Sequence, residues 1–78
     1  MAEFTATLTE VRPNYGAVEI SILFDNGQVQ IRRDYTLTRA EDATPAALAQ
    51  RVSEEQDNLN NLYANAEALM SQIGQTIG

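Results

Sequence analysis

The period of the apolar residues changes once along this chain, and that change limits what it can fold into. From Phe4 to Tyr35 apolar side chains recur mostly at every second position; from Leu48 to Ile73 they recur every three or four. A period of two belongs to a strand with one buried face, and a period of three to four to a helix with one buried stripe. The expected fold class is therefore α+β. It comprises a three-stranded antiparallel β-meander over residues 3–11, 17–24 and 28–37, followed by one long C-terminal helix over 45–73. The 78 residues suit a single domain, with 1–39 as the meander and 74–78 as a frayed tail.

In the first strand Phe4, Ala6 and Leu8 alternate with Thr5, Thr7 and Thr9, and "RPNYG" at 12–16 reads as a loop. In the second, Val18, Ile20, Ile22 and Phe24 make the apolar set, with Glu19 and Ser21 opposite and Leu23 an apolar exception on that outer face. Asn26-Gly27 then separates two alternating runs, a strong hairpin signal because both residues tolerate positive φ. A two-residue turn there pairs Phe24 with Val29, Ile22 with Ile31, Ile20 with Arg33 and Val18 with Tyr35. Arg33 thus falls on the apolar face. It is read either as a rim residue whose stem lies over the core or as an interface arginine paired with an acid on the helix or on a partner. Neither outer strand carries a protecting lysine or proline over these ranges, so edge pairing is a competing assembly mode.

Thr44-Pro45 is a helix start, with threonine as N-cap and proline at the first helical position. No glycine or further proline follows until Gly74. Leu48, Val52, Glu55, Leu59, Leu62, Ala66, Leu69 and Ile73 form a coiled-coil-like heptad stripe that Glu55 interrupts and that Tyr63 and Met70 widen. A helix of this extent measures about 43 Å, whereas strands of eight or nine residues span about 28 Å. Laid along the sheet it would overhang by about 15 Å. The asparagines at 58, 60, 61 and 65 weaken it, and a break near Asn58–Asn61 is the alternative to a continuous helix. The predicted protein-interaction seam is Leu59, Leu62, Ala66, Leu69, Met70 and Ile73, with Arg33 as a further interface residue.

Composition narrows the chemistry. The chain has no cysteine and no histidine, so neither a disulfide nor a Cys/His zinc site is expected, and a core this small favours oligomerisation. Net charge is −6, and residues 40–78 hold one arginine against six acids. The basic footprint of a nucleic-acid binder is missing, as is the basic face of a membrane-surface helix. No apolar run matches a signal peptide or a membrane span. Glu54, Glu55 and Asp57 read as a solvated acidic face rather than as a catalytic or metal site. No catalytic residue, cofactor or metal is expected.

The run "FTATLTEV…AVEISILFDNGQVQIRRDYTLT", followed by an acidic helix with heptad spacing, resembles small proteins encoded among the tail and structural genes of tailed bacteriophages. The resemblance covers residues 4–37 and implies a small virion or assembly component, located in the virion or the host cytoplasm. The expected function is non-enzymatic: self-association as a dimer or trimer, or docking to a larger assembly, through the C-terminal helix. The alternative is an acidic inhibitor that occupies a basic, nucleic-acid-like site on a host enzyme.

Overall fold

A computed structural model describes residues 3–76. Three antiparallel strands, β1 (Thr5–Asn14), β2 (Ala17–Asp25) and β3 (Gln30–Leu37), form a sheet in the order β1-β2-β3. One 3-10 turn at Ala40–Asp42 leads into a single helix, α1 (Pro45–Met70). The fold class is α+β, as the change of period implies.

Both hairpins differ in detail from the expectation. The two-residue turn lies between β1 and β2, at Tyr15-Gly16, because Asn14 pairs with Ala17 and Gly16 supplies the positive φ of 68°. Between β2 and β3 the connection is four residues long, and Asp25 pairs with Gln30 rather than with Gln28. Asn26 causes this. Its buried side-chain oxygen accepts from the N–H groups of Gln28 (2.9 Å) and Val29 (2.7 Å), so those residues close a loop instead of a ladder. Asp25 Oδ1 takes the Gly27 N–H at 2.7 Å in the same way. The register therefore slips by two: Phe24 faces Ile31, Ile22 faces Arg33, Ile20 faces Tyr35 and Val18 faces Leu37. A slip of two preserves sidedness, so every residue keeps its expected face.

Strand β1 is longer than 3–11 and is kinked. Leu8 pairs with Ile22 and Glu10 with Ser21, leaving Thr9 as the extra residue of a β-bulge. Beyond it the alternation is inverted. Val11 and Pro13 lie on the helix side, and Glu10 and Arg12 on the outer face. The β1 edge thus carries both a bulge and a proline, which corrects the expectation that it is unprotected.

Thr44 caps α1 by accepting the Ala47 N–H at 3.2 Å. The helix is continuous through Asn58–Asn61 and ends at Met70, three residues short of the expected Ile73. Its last turn tightens: Gln72 N–H donates to the Leu69 carbonyl, Ile73 N–H to that of Met70, and the Ser71 hydroxyl to that of Ala68. Such i→i+3 bonds wind a helix end down.

The core is Phe4, Ile20, Ile22, Phe24, Leu37 and Leu59, flanked by half-buried Leu48, Val52, Tyr35 and Tyr63. Leu59 is the one buried residue that the helix contributes. Leu48 and Val52 sit beside Ala6, Leu8 and Ile22, while Tyr63 packs on Phe4 with ring centroids 5.2 Å apart. The helix therefore runs back along β1, from Leu8 towards Phe4. Two polar side chains fix its end of the contact: Asn60 Oδ1 accepts the Phe4 N–H at 2.8 Å, and the Gln56 amide donates to the Phe4 carbonyl.

Leu59→Ala should destabilise the fold by about 2–5 kcal/mol, whereas Leu62→Ala should stay within about 0.5 kcal/mol. Asn60→Ala, which strands the Phe4 N–H, should cost about 1–2 kcal/mol. Urea unfolding followed by circular dichroism reads all three.

Candidate interaction surface

The sheet-facing stripe of α1 is Leu48, Val52, Glu55, Leu59, Tyr63 and Ala66. Tyr63, not Leu62, takes the place after Leu59, because a straight helix turns 3.6 residues per turn and drifts off a strict heptad. Sheet cover stops at the Phe4–Tyr63 contact. From Tyr63 to Met70 the helix continues for seven residues, about 10 Å, in place of the expected 15 Å. Apolar residues persist there, and in the turn just past it, without protein to cover them: Leu69 is 67 % exposed, Met70 63 % and Ile73 81 %, while Leu62, 54 % exposed, lies just before Tyr63 and off the sheet-facing stripe.

The structure divides the predicted seam. Leu59 is spent in the chain's own core, and Ala66 is half-buried at the edge of the covered zone. Leu69 and Met70 are presented on the projecting helix, Leu62 is exposed just before it, and Ile73 lies in the turn just beyond it. Leu62 and Leu69, seven residues apart, share one bearing; Ala66 and Ile73 continue the next. Arg33 is elsewhere. Its Nε lies 3.5 Å from Glu55 Oε1, so the acid it meets is on the helix. Glu55, the residue that interrupts the heptad stripe, is thereby explained. Next to this pair the Arg51 guanidinium lies 4.6 Å from the centre of the Tyr35 ring. Burial, then the Glu55 charge, raises the Tyr35 phenol above its ordinary value of 10.0.

A second apolar surface flanks the start of the helix. Ala6, Leu8, Ile22, Pro45, Leu48, Ala49 and Val52 line an open cleft of about 240 Å³, and Leu8 and Val11 are about half exposed.

The outer face of the sheet is polar and organised around Ser21, which is fully buried. Its hydroxyl donates to Asp34 Oδ1 (2.6 Å) and accepts from Arg32 Nη2 (3.0 Å) and Arg12 Nη1 (3.4 Å). Arg32 Nε also donates to Asp34 at 3.0 Å, and Arg12 pairs with Glu10. The bulge at Thr9 brings Glu10 and Arg12 to this face. Sequence reasoning missed the lattice for that reason, although a trace existed: Leu8 and Val11 are three apart, which breaks the alternation. Asn60 and Gln56 were missed too; their signal was an i, i+4 polar pair flanking Leu59 and Tyr63.

Among the described residues, no group of three or more carboxylates is placed to hold a metal ion, and no buried side-chain nitrogen or oxygen lacks a partner. No helix of the described residues is long and apolar enough to cross a membrane. No protein family, curated protein or solved structure matches this chain.

The Ser21 hydroxyl bond, then the Arg32 bond, holds the Asp34 carboxyl below its ordinary 3.8. A depressed folded-state pKa stabilises above the unfolded value, and that stabilisation is lost as pH falls through the folded value. Asp34→Asn should therefore melt below the wild type near neutral pH. The gap should narrow once pH falls below 3.8, as thermal circular dichroism at several pH values would show.

Proposed function

We propose that this chain is a non-enzymatic structural protein that acts through the end of α1, as a small assembly or virion component of a tailed bacteriophage. The supporting observation is the exposed group Leu69, Met70 and Ile73 beyond the last sheet residue available to cover the helix: Met70 and Ile73 continue the core-facing stripe, and Leu69 lies beside it on the bearing of exposed Leu62. Apolar side chains aligned in this way mark a contact surface. From Leu62 to Ile73 these residues span about three helical turns, shorter than the three or four heptads of a free-standing coiled coil. They therefore suit docking between copies, or into a larger particle, better than a lone helix pair. The bacteriophage assignment rests on the sequence resemblance over residues 4–37.

The acidic-inhibitor reading draws on a different surface. Glu54, Asp57 and Glu67 are exposed on α1 and form no ion pair among the described residues. Three carboxylates, two of them clustered, make a sparse imitation of a phosphate backbone, and the apolar row has no part in that role.

Light scattering on the wild type and on Leu69→Glu/Ile73→Glu tests the proposal. The wild-type mass should be a multiple of the chain mass, and the double variant should lower it. A wild-type monomer, or an oligomer that ignores the double change, contradicts the helix-end reading. Salt-dependent capture of a basic host enzyme, lost on neutralising Glu54, Glu55 and Asp57, would support the inhibitor instead.

A further inference from the structure

The sheet has two edges, and only one of them is closed. On β1 the bulge at Thr9 and the ring of Pro13 interrupt the edge, and both backbone groups of Phe4 are bonded to α1. Strand β3 has none of these devices. It pairs with β2 over eight residues without a bulge or a proline, and among the described residues no side chain bonds to its backbone. An edge of this kind is a template for another strand.

The backbone bonds fix which groups it presents. Asn26 N–H donates to the Val29 carbonyl at 3.3 Å, closing the loop as a hydrogen-bonded pair. Pairs alternate in an antiparallel ladder. Ile31, Arg33 and Tyr35 therefore bond inward to β2, and the N–H and C=O groups of Gln30, Arg32, Asp34 and Thr36 point away from the sheet.

We infer that β3 pairs antiparallel with β3 of a second copy across a two-fold axis at Arg33, giving a continuous six-stranded sheet. Charge selects this register. Directly opposed residues must share a face, so Arg33, Arg32 or Asp34 can sit on the axis. With Arg33 there, Arg32 faces the partner copy's Asp34 twice on the outer face, and Ile31 faces the partner copy's Tyr35 twice on the helix side. With Asp34 on the axis two carboxylates oppose each other, and with Arg32 two guanidinium groups do; either choice loses both Arg32–Asp34 pairings. The like charges left on the chosen axis are compensated, since each Arg33 already has its own Glu55 at 3.5 Å. The pairing also covers Ile31 and Tyr35, which are half-buried in one chain.

The helices do not obstruct it. Each α1 runs along β1, bonded to Phe4 through Asn60, and reaches β3 through the Glu55 side chain, so its axis is no nearer the β3 edge than β2 is. Three strand spacings separate the two β2 strands, about 14 Å, wider than the 8–10 Å of packed helices. The two projecting helix ends then point in opposite directions, so the pair is bivalent for the docking proposed above. The pairing itself does not rest on that docking.

The two contacts are separable by experiment. In the Leu69→Glu/Ile73→Glu background, sedimentation over a concentration series should give a mass of two chains. Adding Thr36→Pro removes an outward N–H without touching the β2 ladder and should leave one chain with an unchanged far-ultraviolet spectrum. Should Thr36→Pro unfold, a charge exchange serves: Arg32→Asp should raise the dimer's midpoint concentration at least about tenfold, and Arg32→Asp/Asp34→Arg should restore it. A monomer throughout in that background overturns the edge pairing, as does a dimer indifferent to both Thr36→Pro and Arg32→Asp. A wild-type mass unaffected by the two glutamates counts against the helix-end docking alone.

Discussion

The packing of α1 on the sheet rests on Leu59 and Phe4, and the rest of the architecture follows from where that contact lies. Leu59 fills the core, Tyr63 stacks on Phe4, and Gln56 and Asn60 bind both backbone groups of Phe4. Phe4 is close to the limit of the sheet in that direction, so the protein's own cover of the helix runs as far as Tyr63 and half-buried Ala66. A core of six buried residues gives such a chain little stability to spare. The helix end, with four large apolar residues more than half exposed, adds nothing to that core.

The two faces of the sheet are built by different physics. The helix side is closed by apolar contact. The outer side is closed by arginine stems and carboxylates gathered over the Ser21 hydroxyl, each bond satisfied by a neighbour on another strand or two residues along the same one. Individually these solvent-exposed ion pairs are weak. Their greater effect is on register, because the Thr9 bulge is what allows Glu10 and Arg12 to face Ser21.

Much of this was legible in the sequence where the signal was a period. Alternation identified the strands and their faces, and it survived a register error because a slip of two leaves sidedness unchanged. The Thr44-Pro45 start was legible as well, since capping is local chemistry. Loops and bulges were not. Whether Asn26 turns the chain in two residues or four depends on which N–H groups its side chain captures, and the Thr9 bulge depends on what β2 and β3 present across the sheet. The candidate surface was legible from length alone, through a helix longer than its sheet. Its membership was only partly so: the choice between Leu62 and Tyr63 turns on the fraction of a residue by which a straight helix departs from a heptad.

Amide hydrogen exchange along α1, at low and high protein concentration, tests most directly whether the helix outruns its support. The account predicts strong protection from Leu48 to Tyr63 at every concentration. From Ala64 to Met70 it predicts weak protection when dilute and rising protection as the copies assemble. Equal and concentration-independent protection through Met70 would contradict it, because the end of the helix would then be held by the chain's own fold and would have no need of a partner.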